Sequence, residues 1–445
     1  MRNNIIEKAL AAMLIMSRLA SGAESSPSPG REMTLDDCVK IALDKNPAAR
    51  ASAEEIIAAK ETVGEARASY YPELKATASY SRWQTRAFLP EGLLPPTAPS
   101  VIGPTDDYKA QGTVRLLLLD SGERSASLRM AKALQGISGD NFNRTKQDLI
   151  LNVHVSFFRL AASIEMRSVA SQNLARTEAH LKLAQDRQSA GATPQSDVLR
   201  AKVASAEAKL ELVRANSLVN INMGGLNTAM GLPVETALLP RREGLDALSH
   251  VQTNTSLLLA EALMSRPEIK AAQKRIESAQ SSLTMAKGEY GPKLRAEGSY
   301  GFRDDSSDLE DKEYAAGISL EVPLFSGFST KHRVAERNAQ LSKTEAEAEA
   351  TALLIQQEVW TAKLKLQEAA ESLETADSRV KDATESARIT DERYKVGGCT
   401  ITDLLDTQTA LAKAEAGKIE AEWNMRIAKA VLAHSTGSLS SSAKK

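Results

Sequence analysis

Aromatic residues make up only 4% of the 445 positions, and the two cysteines, Cys38 and Cys399, lie far apart in no CxxC pair. Scarce aromatics beside abundant Ala, Leu, Glu, Lys and Gln argue against a sandwich or an α/β core and for long helices. Two distant cysteines exclude a disulfide framework and a cysteine metal site. A net charge of −1 leaves no basic footprint for nucleic acid. The five histidines, His154, His180, His250, His332 and His434, are scattered without an HExxH. No GxxxxGK[ST] loop or GxSxG elbow is present either, so neither an enzyme nor a cofactor is expected. Past the N-terminus no run of ~18 apolar residues occurs, and no helical membrane span is expected.

The N-terminus, residues 1–23, reads as an export signal. Arg2 and Lys8 flank a polar start, residues 9–16 are apolar, and Ser21-Gly22-Ala23 offers a small-residue cleavage site. An exported chain without membrane helices is periplasmic, secreted, or held in an outer membrane as a β-barrel.

What the chain does contain is a two-fold repeat. Residues 33–231 form one copy and 256–437 the second, with 232–255 as the link and 438–445 as a disordered tail. Pro47 aligns with Pro267 and Pro72 with Pro292, each 220 apart. RQSAGATPQSDVLRAK matches RYKVGGCTITDLLDTQ: Arg187 with Arg393, Gly191 with Gly397 and Asp197 with Asp403, each 206 apart. Ser121-Gly122 aligns with Ser326-Gly327 at 205. Thr34, with Asp36 and Asp37 behind it, is an N-cap for the first helix. The long helix of the second copy carries alternating steps of three and four. Its positions are Ala352, Ile355, Val359, Ala362, Leu366, Ala369, Leu373, Ala376, Val380, Ala383 and Ala387. That seven-residue period implies a left-handed coiled coil, and the alanines permit close approach. The first copy keeps the register in part, through Val153, Leu160, Leu174 and Leu181, with Arg167 intruding.

Four stretches change period from helical to two: 73–83, 108–119, 293–303 and 313–325. Leu74, Ala76, Ala78 and Tyr80 share one face, for example, and Lys75, Thr77 and Ser79 the other. Between the first two strands lies a Pro-rich loop, 84–107. Strands of this length suit a tilted membrane crossing of ~9–11 residues, and tyrosines and Trp83 near their ends suit interfacial girdles. Four strands cannot close a barrel, and lipid tolerates no open edge. Self-association must supply the rest, and three copies would give a twelve-stranded barrel.

The chain resembles the TolC-like outer-membrane efflux protein family. The resemblance rests on the repeat, the strand-opening YYP and YGP, the turns LLDSGE and LFSGFS, and YKVGGCTITDLLDTQTAL. It implies a trimeric α-helical barrel plus transmembrane β-barrel, with four strands per chain and long coiled-coil periplasmic helices. It implies an exit duct of a tripartite efflux pump or type I secretion system in the outer membrane, working with a periplasmic adaptor and an inner-membrane transporter. By motif position, Asp403 and Asp406 match acidic rings that bind cations at the closed periplasmic tip, and Tyr394 matches the closing network. Asp197 is the corresponding acid of the first turn. Three-fold symmetry would gather six carboxylates from Asp403 and Asp406, a repulsive cluster that raises pKa values and attracts cations. Asp403 can equally close a capping box with Thr400. Gly191, Gly397 and Gly398 read as turn glycines, and the resemblance places adaptor contact at the same tips. Cys399 stands where the family pattern often has a basic or polar residue. The alternative to a duct is a periplasmic coiled-coil adaptor. Fractionation separates the two: the duct requires detergent extraction from the outer membrane as a trimer, whereas an adaptor appears in the soluble periplasm.

Overall fold

The structure, a computed structural model, describes residues 31–84, 87–88, 101–102, 105–241 and 254–439. The expected export signal, most of the Pro-rich loop, the middle of the link and residues 440–445 lie outside the described residues.

The first repeat runs β1 (Arg31–Met33), α1 (Leu35–Lys45), α2 (Pro47–Ala68), β2 (Glu73–Trp83), the short β3 (Ala87–Phe88) and β4 (Val101–Ile102), β5 (Thr105–Leu119), α3 (Glu123–Ser189) and α4 (Gln195–Met230). After β6 (Leu238–Pro240) the plan recurs: α5 (Thr255–Ser265), α6 (Pro267–Gly288), β7 (Lys293–Asp304), β8 (Lys312–Glu321), α7 (Ser329–Lys395) and α8 (Ile401–Ser435). Thr34 caps α1 in a capping box with Asp37. Asn46 ends α1 and starts α2, accepting from the Ala48 N–H at 2.9 Å while its amide donates to the Ala229 carbonyl at 2.9 Å. Arg266 stands at the matching place and donates to the carbonyls of His434 and Ser435. The residue at this place in each repeat, Asn46 or Arg266, thus satisfies orphan carbonyls at the end of α4 or α8.

Both long helices, α3 and α7, contain 67 residues, about 100 Å each. α3 packs beside α2, α6, α4 and α8. Lys274 on α6 reaches Asp140 near its start, and Asn222 on α4 reaches the Arg159 carbonyl further on. Its middle fills the main core, where Val153, Phe157, Phe158 and Leu160 pack with Met230 and Trp423, all at or below 1% exposure. By length and composition α3 is apolar enough to cross a membrane. The absence of one long apolar run did not anticipate this; Leu149, Ile150, Val153, Phe157, Phe158 and Leu160 of this helix belong to the core.

The seven-residue stripe of α7 is buried or half-buried at every one of its eleven positions. On α3, Val153 and Leu160 are buried and Leu174 and Leu181 half-buried. The alternate seam position holds small side chains instead: Ser163, Ala170, Thr177 and Ala184 are all buried. Ser163 and Thr177 return their hydroxyls to the Leu160 and Leu174 carbonyls, which makes burial of a polar group tolerable.

The sheet has the order β2-β5-β7-β8 and is antiparallel throughout. The register aligns Leu74, Val114, Gly298 and Ala316, then Ala76, Gly112, Tyr300 and Tyr314, so the apolar residues of four strands share one face. That face is bare: Leu74 is 76% exposed and Ile318 70%. On the opposite face cross-strand ion pairs form, including Arg115–Glu297 at 3.0 Å and Arg303–Asp107 at 2.9 Å. The outer edges of β2 and β8 have no strand beside them among the described residues.

Several boundaries differ from the sequence reading. β5 starts at Thr105 rather than 108, because pairing continues to Trp83. β8 ends at Glu321 rather than 325. Pro323 has no N–H for the ladder, which explains the early stop. The strand-to-helix turns correspond at 206, not 205. Ser121 and Gly122 (φ 56 and 91) match Gly327 and Phe328 (φ 63 and 66) as consecutive left-handed residues before each long helix. The tail is also not free from 438 onward. Gly437 (φ 75) turns the chain, and Leu439 is buried in the main core at 4% exposure.

Gly231 ends α4 at φ 74, and a Cβ there would lie 2.8 Å from Asn46 Cα. Gly231→Ala is expected to destabilise by about 2–4 kcal/mol, from the left-handed backbone and the clash together. Gly139→Ala, within α3 and with nothing within 4 Å, is expected to be neutral or stabilising by up to about 1 kcal/mol. Thermal unfolding in detergent checks both.

Candidate functional site at the helical tips

The two helical hairpins end in the same device. After α3, Gly191 N–H donates to Gln188 and Ala192 N–H to Arg187; after α7, Gly397 N–H donates to Tyr394 and Gly398 N–H to Arg393. These are paired Schellman bonds that satisfy the last carbonyls of each helix. Gly191 (φ 71) and Gly397 (φ 79) hold the left-handed position. Gly398 does not: its φ is not left-handed, and Ala192 occupies its place in the first hairpin. Only one glycine per turn is therefore required by the backbone.

The restarts differ. Thr400 caps α8: its hydroxyl donates to Asp403 Oδ2 at 2.7 Å, its N–H donates to the same oxygen at 3.0 Å, and Asp403 N–H donates back to the hydroxyl at 3.2 Å. Those hydrogen bonds from Thr400 hold the Asp403 carboxyl below the usual aspartate range, with Arg393 assisting. Within one chain this local effect runs opposite to the rise expected for facing carboxylates. At the matching site of α4 the N-cap is Pro194, which offers no side-chain cap, so Asp197 belongs to no capping box. Asp403 and Asp406 are both exposed, one turn apart on α8.

Tyr394 is elsewhere in character, buried at 2% exposure with Ile401 and Leu404. Its hydroxyl has no hydrogen-bond partner among the described residues. Burial pushes that hydroxyl's pKa up, the Arg187 cation opposes, and Asp197 and Cys399 add to the rise. The structure thus gathers Tyr394 and Arg187 with Asp197 nearby. No hydrogen bond joins Tyr394 to Asp403 or Asp406 among the described residues. Cys399 packs against the Tyr394 cluster, and its thiol donates to the Thr390 carbonyl at 3.4 Å. It is half-buried against that cluster.

Sequence reasoning aligned Arg187 with Arg393 but gave neither a role. Arg393 bonds its own turn, at the Gly398 carbonyl, 3.0 Å away. Arg187 crosses to the other hairpin, donating to the Tyr394 carbonyl with its guanidinium 4.9 Å from the ring centre. Arg200 donates to Thr402 Oγ1 at 2.8 Å, and Arg176 forks onto Glu415 at 2.7 and 3.2 Å. Equal repeats gave no signal of this, because the crossing partners lie more than 200 residues away.

The outer membrane efflux protein family matches residues 38–232 and 258–438, and the chain belongs to it. Members of this family are transport conduits, and the chain is an outer-membrane protein reaching into the periplasm. It is 26% identical to the protein CyaE of Bordetella pertussis over 74% of its length and 69% of that protein. It is 21% identical to the outer membrane efflux protein BepC of Brucella suis over 97% and 91%. The fold is that of the Campylobacter jejuni CmeC outer membrane channel, with a TM-score of 0.80 at 16% identity over 92% of this chain and 86% of that one.

Replacing the required and the dispensable glycine separates their roles. Gly397→Ala is expected to raise local opening of the second tip roughly 5- to 30-fold, as ~1–2 kcal/mol of backbone strain demands. Gly398→Ala is expected to change it little. Hydrogen exchange of residues 390–405 reads both.

Proposed function

We propose that this chain is the outer-membrane exit duct of a tripartite efflux pump or type I secretion system. It works as a homotrimer that conducts passively and is gated at its periplasmic tips. A periplasmic adaptor meets those tips at the turns around Gly191, Gly397 and Gly398, and an inner-membrane transporter supplies the energy. The observation that carries this reading is the four-stranded sheet with one bare apolar face and, among the described residues, two unpaired edges, mounted on 67-residue helices. An apolar face suits lipid, and unpaired edges suit closure with further copies. A second demand for copies comes from α4. Ala201, Ala208 and Ala215 face its own hairpin and are buried, while Leu199, Val203, Leu210 and Val213 form another seam that is more than half exposed apart from Leu210, at 50%. A helix with two apolar seams needs two neighbours. The bare sheet face also counts against a soluble adaptor.

In this reading Asp403 and Asp406, exposed at the tip, ring the constriction in three copies and select cations. The Arg187–Tyr394 contact and Asp197 hold the hairpins in the closed arrangement. Asp403 serves as cap and ring member together, since its capping bonds keep the carboxylate ionised. In planar bilayers the wild type is expected to show low, cation-selective conductance blocked by divalent or trivalent cations. Asp403→Asn with Asp406→Asn removes both charges while leaving an oxygen for Thr400, and is expected to lose most of that block. Block of unchanged strength would remove these carboxylates from the constriction.

A further inference from the structure

His180 lies on α3 where the first hairpin meets the second. It is 8% exposed, and its Nδ1 sits 3.8 Å from Asp391 on α7. One turn earlier Arg176 forks onto Glu415 of α8, and two turns later Arg187 grips Tyr394. His180 thus lies between two side-chain ties that join the hairpins, Arg176–Glu415 and Arg187–Tyr394. The charged groups facing it are Arg176 from its own helix and Arg388, Asp391 and Lys395 from α7; α8 brings the uncharged Gln408 and Leu411. Asp391 already holds a cation, with Lys395 Nζ at 2.7 Å. Arg388 is taken by Glu385 and Glu392 at 2.7 and 2.8 Å. A proton arriving on His180 therefore meets a carboxylate that is already paired with Lys395, a nearby arginine, and a wall of Leu183, Ala387 and Leu411 beside the buried Gln408 amide.

We propose that His180 makes the junction between the two hairpins pH-sensitive, loosening it as the surroundings acidify. Burial pulls the imidazole below its ordinary range; Asp391 opposes, and Lys395 and Arg176 add to the fall. In an opened junction the ring meets water and titrates near its ordinary value of about 6.5. The proton is then bound more readily by the open form. The closed junction keeps its full stability above that ordinary value and loses it as pH falls toward the lowered one. At about pH 5 the open form gains at most roughly 30-fold, the limit in which the closed junction takes up no proton. His154, pushed down to about 4 by burial in the main core, stays neutral over most of this window. Asp403, held low by Thr400, stays ionised. The consequence for conduction rests on the reading that the tips form the gate.

Hydrogen exchange on the full-length assembly in detergent, at about pH 7.5 and about pH 5, tests the junction directly. Wild type is compared with His180→Gln and His180→Phe at the same pH, over residues 176–190 and 384–396. Wild type is expected to exchange several-fold faster than either variant at the lower pH and at a similar rate at the higher. Equal ratios at both pH values overturn the proposal, as does acid loosening that persists in both variants. The phenylalanine variant keeps a packed ring if glutamine disturbs the fold. Bilayer conductance of the same proteins is read alongside. Acid loosening without a rise in conductance upholds the junction and removes the gate from the tips. A rise in conductance without loosening places the pH response elsewhere and overturns the proposal.

Discussion

Backbone amides and carbonyls in a membrane have no water to bond, so every strand edge there must be paired. The main sheet of this chain has four strands, and among the described residues the outer sides of β2 and β8 are open. Most of its architecture can be understood as an answer to that requirement. The register puts most large apolar side chains of the sheet on one face and pairs charges across the other, where Trp83 and Leu117 also lie. The long helices carry alanine seams that let neighbours approach closely, and α4 keeps a second seam exposed. In the proposed reading, further copies of the chain pair with these open edges.

Duplication supplies the frame, and differences between the copies supply its chemistry. The offset is 220 from α1 through the start of β7 and 206 from the strand-to-helix turns onward. The change falls entirely in the β2–β5 connection, which is longer than the β7–β8 connection, so both long helices keep the same length. Against that common frame the tips diverge. Thr400 and Asp403 close a capping box where Pro194 and Asp197 do not. Arg187 crosses to the other hairpin while Arg393 stays on its own turn. His180 faces Asp391 across the same junction, with no counterpart role on α7. The contacts that could hold or release the tips all come from such departures.

Much of this was legible in the sequence because it is periodic or local. Alternation of period two gave the strands and their faces, the seven-residue steps gave the α7 seam, and Thr34 with its acids gave the N-cap of α1. Gly191 and Gly397 were readable as turn residues because left-handed backbone leaves few alternatives. Errors arose where a single residue overrode a pattern: Pro323 ended β8 early despite continued alternation, and Phe328 took a left-handed position that the glycine alignment assigned one residue sooner. Ser163 and Thr177 escaped notice as seam residues because their hydroxyls look polar until the helix carbonyls satisfy them.

By itself, then, the sequence determined the repeat, the strands with an apolar face, the coiled-coil seam and the two tip turns, since these depend on neighbours within a few residues. Tertiary structure alone decided that Tyr394 is buried under Arg187 while Asp403 and Asp406 stay exposed, that Gly398 is dispensable to its turn, that Leu439 docks on the core, and that His180 meets Asp391. Each of these joins residues far apart in the chain or turns on one backbone angle, and neither leaves a periodic trace in the sequence.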